Sequence, residues 1–269
     1  MFKKALFAMT GVCLAAFLHA APLRAETDAE HELAMKTQNP IANLISVPFQ
    51  YNQDYNIGPG NAMKTTLNIQ PVIPIELNKD WIVISRTILP VIDKESTGPG
   101  DPDAHGLGDT TQSFFFSPRA TVHGWIVGFG PVFYLPTASH DEILGSEKWG
   151  IGPTFVVLKQ THGFTFGMLA NHISSFAGND SRPDISNTYL QPFFTYTTKT
   201  YTSFSVNSES TYNWKNSQWT VPYNFMVSQL LKIGGQPLSL QLGYRYYADH
   251  PTGGPDHGIR FTLTFLFPK

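Results

Sequence analysis

The chain has 269 residues, with 18 Lys and Arg against 20 Asp and Glu, a formal net charge of −2 and one cysteine. So slightly acidic a chain lacks the clustered cations that phosphate binding needs, which argues against nucleic acid as a partner. The lone thiol, Cys13, lies in the leader described next, so disulfides, thiolate metal sites and a Cys nucleophile are excluded from the exported chain.

Met1 to Lys4 is basic, Ala5 to Ala20 is largely apolar, and Leu23-Arg24-Ala25 precedes Glu26. This is the layout of a secretory signal peptide, residues 1–25, cleaved after Ala25. Cys13 has further apolar residues after it and does not stand where an acylated lipoprotein cysteine would. Beyond the leader no apolar run reaches the ~18 residues of a transmembrane helix, so the exported chain reads as either soluble or a barrel. Residues 26–43 are polar, and Glu30, Leu33, Ala34 and Met35 fit a short helix ending before Asn39-Pro40. They read as a solvated N-terminal arm, with a small plug entering a barrel as the alternative.

From 44 to 269 the pattern is strands and turns. Twelve strands are predicted near 44–53, 63–77, 80–93, 108–118, 123–136, 149–160, 163–175, 187–198, 201–213, 218–231, 237–248 and 258–267. The last two are the clearest. Leu238, Leu240, Leu242, Tyr244 and Tyr246 alternate with Ser239, Gln241, Gly243 and Arg245; Ile259, Phe261, Leu263, Phe265 and Phe267 alternate with Arg260, Thr262 and Thr264. Successive strand side chains point to opposite faces, so each segment has one apolar and one polar side. Strands of about ten residues with this period, flanked by aromatics, fit an all-β, antiparallel transmembrane barrel of about 12 strands.

The connections support it. Short turns at Asn78-Lys79, Thr161-His162, Thr198 to Thr200 and Gly234-Gly235 alternate with longer loops rich in Gly, Pro and Asp. Barrels place such turns in the periplasm and the loops outside. Trp81 and Trp125 fall beside short turns and Trp149, Trp214 and Trp219 beside long loops, as two interfacial girdles require. Two strands read poorly: Ile82, Ile84 and Ile88 share a parity with Arg86, and Gly128 and Gly130 stand opposite Trp125, Val127 and Phe129. Eight prolines, Pro48, Pro71, Pro74, Pro90, Pro131, Pro153, Pro192 and Pro222, lie within predicted strands, where each removes a ladder donor; bulges are expected at several.

At these prolines the chain resembles a known family. Gln38 to Gln50, Asn68-Ile69-Gln70-Pro71-Val72-Ile73-Pro74, Gly106-Leu107-Gly108-Asp109, Gly128-Phe129-Gly130-Pro131-Val132-Phe133, Lys148-Trp149-Gly150-Ile151-Gly152-Pro153 and Phe265-Leu266-Phe267-Pro268-Lys269 are similar to a bacterial family of outer-membrane transporters. That family is named for the meta-cleavage pathway of phenol degradation. The resemblance implies a Gram-negative outer-membrane barrel that passes small hydrophobic or aromatic compounds, and it supplies no catalytic residues. Its partners would be outer-membrane lipids, the barrel-assembly machinery and a small permeant. Many such barrels end on an aromatic read by that machinery, whereas here Pro268-Lys269 follows Phe267.

The expected lumen residues are Asn68, Gln70, Glu76, Gln191, Asn207, Glu209, Gln241, Arg245 and Arg260. Facing each other across a narrow bore, Arg and Glu either set selectivity or pair and close it. No cofactor is expected. His123, His140, His162, His250 and His257 lack close ligand spacing for a metal, and Asp101, Asp103, Asp180 and Asp184 read as solvated loop acids. Two other classes stay open. His172 and Ser174 share a strand face, a base beside a hydroxyl, and look like the His-x-Ser pair of outer-membrane phospholipases, although Ser175-Phe176 follows where that family has Asn-Gly. A closed barrel with a structural or adhesive role is the other.

Overall fold

The structure is a computed structural model that describes residues 28–98 and 100–268. The leader 1–25 lies outside the described residues. The elements in order are α1 (Asp28–Thr37), β1 (Ile45–Ile57), β2 (Ala62–Ile69), β3 (Val72–Glu76), β4 (Trp81–Lys94), β5 (Ala104–Leu107), β6 (Thr110–Pro118), β7 (Ile126–Leu135), α2 (Asp141–Leu144), β8 (Lys148–Thr161), β9 (Phe164–Gly178), β10 (Ser186–Thr197), β11 (Thr202–Ser208), β12 (Ser210–Asn213), β13 (Gln218–Ile233), β14 (Gln236–Asp249) and β15 (His257–Phe267).

These segments make twelve staves, because three staves are broken in two. β2 and β3 both pair with β1 and β4, β5 and β6 both pair with β4, and β11 and β12 both pair with β10 and β13. Every neighbouring pair is antiparallel. The sheet closes where β1 meets β15, from Ile45↔Phe267 to Tyr55↔His257. Closure leaves no free edge, the condition for a sheet to stand in lipid.

The outer surface follows from the alternation. Phe129 (52% exposed), Phe225 (54%) and Tyr246 (51%) belong to a belt of outward aromatic and aliphatic side chains. Large exposed apolar groups of this kind are stable only against hydrocarbon. The tryptophans sit at the two rims as their sequence positions require: Trp81 packs edge-on to Phe129 at 6.2 Å, while Trp214 and Trp219 each lie 4.8 Å from Tyr212 at the loop end.

The prolines act in three ways. At Pro222 the ladder to β14 shifts register, a bulge of the expected kind. At Pro71 the stave breaks, and hydrogen bonds from Gln70 N to Pro48 O (2.9 Å) and from Thr87 N to Pro71 O (3.1 Å) carry the sheet across. Pro131 and Pro153 instead face each other on β7 and β8. Opposed residues that do not bond each other aim their N–H groups at the outer neighbours. The missing donors therefore fall on those outer ladders. β6–β7 skips from Ser113↔Val132 to Phe116↔Phe129, and β8–β9 skips from Ile151↔Ser174 to Thr154↔Asn171. Glycine precedes each proline because the neighbouring backbone closes in: a Cβ at Gly130 would stand 2.0 Å from Phe114 O, and one at Gly152 only 1.6 Å from His172 O.

The expectation of a solvated arm is corrected. α1 lies across the short-turn end of the barrel. Asn39 Oδ1 accepts from Ile41 N (2.9 Å) and turns the chain inward after the helix, and Ile41, 2% exposed, enters an apolar socket of Ile82, Ile84, Phe115, Val156, Leu158 and Leu169. Ala34, Ala42 and Leu44 pack beside it on Tyr201, Leu230 and Leu266. Gln160 in the wall donates to Met35 O at 2.7 Å. The two strands that read poorly are explained by this plug. Their inward apolar residues and Gly128, whose added Cβ would lie 3.0 Å from Ile41 Cδ1, are the socket.

Candidate functional site

Above the plug the lumen holds a half-open cavity of about 660 Å³. Thr37, Gln38 and Pro40 of the arm floor it, and the wall contributes alternate residues of most staves. Seven of the nine expected lumen residues line it: Asn68, Gln70, Gln191, Asn207, Glu209, Gln241 and Arg260. Glu76 does not. It ends β3 at the turn side, exposed, with its carboxylate 3.3 Å from Arg119. Arg245 is buried beside the cavity rather than on its lining, with Nη2 donating to Tyr247 OH at 2.8 Å and Nη1 3.5 Å from Asp54.

The centre of the polar wall is Arg260. Its Nη1 and Nη2 donate to the two Glu209 oxygens at 2.7 and 2.8 Å, and Nε donates to Asn52 Oδ1 at 2.7 Å. Glu209 can reach it because β11 and β12 break at that residue, opposite the Pro222 bulge; the Glu209 N–H bonds Pro222 O at 3.2 Å. A bidentate, hydrogen-bonded pair is the arrangement in which buried charges are tolerated.

Sequence reasoning missed Arg86, which lines the cavity with one long hydrogen bond, Nη2 to Gln70 Oε1 at 3.3 Å. Its parity with Ile82 and Ile84 disguised it, since those isoleucines face inward to hold the plug. Asp109, between β5 and β6, was also missed. Its carboxylate accepts from Ser146 N (2.7 Å), Ser146 Oγ (2.8 Å) and Ala138 N (3.2 Å), which folds the 136–147 loop inward until Ser146 reaches the cavity.

His172 and Ser174 stand on the opposite, outward face, because Asn171 and Ile173, which alternate with them along β9, line the lumen. His172 Nε2 is 3.0 Å from Ser174 Oγ and Nδ1 is 2.9 Å from Thr188 Oγ1, which also accepts from Trp214 Nε1 at 2.8 Å. Among the described residues no group of three His, Asp or Glu is placed to hold a metal. Two of the four loop acids, Asp101 and Asp184, have cationic partners. Asp101 bonds Lys94 and Thr97, and Lys94 first among these holds its carboxyl well below the usual range. Lys148, at 3.1 Å, does the same for Asp184.

Neither a protein-family model nor a curated protein matches the chain. Among solved structures it is similar to an outer membrane channel from Pseudomonas putida F1, with 14% identity over 84% of this chain and 96% of that one and a TM-score of 0.64. It also matches the outer membrane phospholipase of Salmonella typhi, with 10% identity over 89% and 97% of the two chains and a TM-score of 0.44. With its closed wall, apolar belt and rim tryptophans, this protein is a twelve-stranded antiparallel β-barrel of the outer membrane.

Proposed function

We propose that the barrel is a passive channel for small molecules with apolar or aromatic bodies, and that it is related to the outer-membrane transporters of the phenol meta-cleavage pathway family. The observation that carries this is the space of about 660 Å³ held inside a closed barrel wall and lined by both polar and apolar side chains. A cavity of that volume takes an organic molecule whole. Passage would be diffusion past the Arg260–Glu209 pair, with the arm and the inward loop as the two restrictions.

The test is single-channel current from purified, signal-free protein in planar bilayers, with empty detergent as the control. Glu209→Gln leaves Arg260 buried beside a neutral amide, so the reversal potential in a salt gradient shifts towards anion selectivity. The same change lowers unfolding stability by about 3–5 kcal/mol, as loss of one partner of a buried pair does. Folded protein that is silent both intact and without the arm would remove the channel reading and leave a closed structural or adhesive barrel.

A second reading rests on the Ser174–His172–Thr188 chain of short contacts on the lipid-facing wall. In an acyl hydrolase there, His172 Nε2 would take the Ser174 proton as Oγ attacks an ester carbonyl and return it to the alcohol that leaves as the ester C–O bond breaks; water, deprotonated by the same nitrogen, would then attack the acyl-enzyme, releasing the free acid and giving the proton back to Ser174 Oγ. Thr188 can fix the ring but, being neutral, does not stabilise the imidazolium as a carboxylate would. This reading requires purified protein to hydrolyse phospholipid and Ser174→Ala to abolish it. An Ala variant as active as the parent discards it.

A further inference from the structure

The charged side chains lining the cavity, among the described residues, are Arg86, Arg260 and Glu209. Glu209 gives both oxygens to Arg260. Arg86 keeps one hydrogen bond, to a neutral amide oxygen, although its guanidinium carries five donors. The space therefore holds a cation with donors to spare, and the one carboxylate that shares its lining, Glu209, is already held at both oxygens by Arg260, which leaves part of the cationic charge uncompensated. Apolar side chains share the same lining: Ile88, Leu169, Ile173 and Phe193.

We propose that this chamber binds a small organic monoanion, an aryl or short alkyl carboxylate, with its carboxylate on Arg86 and its apolar body against that lining. The inference rests on the channel reading of the same lumen and narrows its cargo. A planar guanidinium matches a carboxylate through two parallel hydrogen bonds, which no neutral hydrocarbon can use. A single negative charge neutralises the excess of two cations over one anion among the lining side chains, whereas a dianion would meet Glu209 with charge left over. An inorganic ion would leave most of the cavity unfilled.

The probe is sodium benzoate, with benzamide as its uncharged counterpart, and the measurement is isothermal titration of the detergent-folded exported chain. Benzoate is expected to bind saturably and at least about tenfold tighter than benzamide, a difference of ~1.4 kcal/mol. Arg86→Gln removes that preference, and Arg86→Lys, which keeps the charge but not the fork, retains part of it. Equal affinity for the two probes, no binding of benzoate, or unchanged benzoate binding by folded Arg86→Gln each overturns the site. Should Arg86→Gln not fold, the ratio of the two probes on the parent protein decides alone. Titration needs no flux, so the two readings fail separately. Protein that binds benzoate yet passes no current keeps the site and loses the channel, and protein that conducts without separating the probes does the reverse.

Discussion

Deletion of residues 28–43 is expected to raise single-channel conductance by ~3-fold or more, since a twelve-stranded wall alone encloses a bore between the filled eight-stranded and the open sixteen-stranded kinds. The arm is held mainly by Ile41. Burial of one isoleucine contributes about 1.5–3 kcal/mol, and the contacts of Ala34, Ala42 and Leu44 add to it. That total is large enough to keep the plug seated at rest, yet far below the strength of the wall, whose strands are paired on both sides all the way round the closed sheet. Ile41→Asp should reproduce the deletion without shortening the chain, because a carboxylate in a socket of Ile, Phe, Val and Leu has no partner and is driven out. Both variants must migrate as folded barrels before and unfolded after heating. If they do and still conduct like the parent, the restriction lies elsewhere, with the inward 136–147 loop as the remaining candidate.

Gly152→Ala is expected to lower the unfolding free energy by ~3 kcal/mol or more, or to prevent folding, a loss of overpacking type at the upper end of its range. The new Cβ would stand 1.6 Å from His172 O, a backbone atom that cannot swing aside. The β8–β9 ladder already lacks two rungs there, so there is little pairing left to absorb a shift. Gly60→Ala is the control: its Cβ would meet Thr97 O at 3.4 Å, an ordinary contact, and its stability should stay within about 0.5 kcal/mol. Urea titration of the two variants side by side reads the difference. Equal midpoints would mean that the wall at Gly152 relaxes freely.

Much of the fold was legible because the alternation in β14 and β15 states both faces of the wall residue by residue, and because turn length separates the two ends. Seven lumen residues followed from the same parity. What was illegible has a common physical cause. A polar-inside rule assumes that water fills the lumen, but at the turn end the lumen is filled by the chain's own Ile41, so Ile82, Ile84, Phe115 and Val156 face inward as a core does. Arg86 was lost in that apolar register. Glu76 failed differently: its parity is inward, but β3 ends there and the side chain leaves the barrel for Arg119. Proline positions were visible, whereas the way each is accommodated depends on the partner strand, as Pro131 opposite Pro153 demonstrates.

The seam between β1 and β15 joins the beginning of the wall to its end. The plug is tethered to β1 through the short segment 38–44, and the socket of Ile41 lies on β4, β6, β8 and β9, all of which precede β15 in the chain. During biogenesis β1 must wait for β15 to arrive, and α1 waits with it at an open side of the cylinder. Sealing and corking are then one event: a barrel that zips shut with the arm trapped outside would have to thread it back through its own periplasmic mouth.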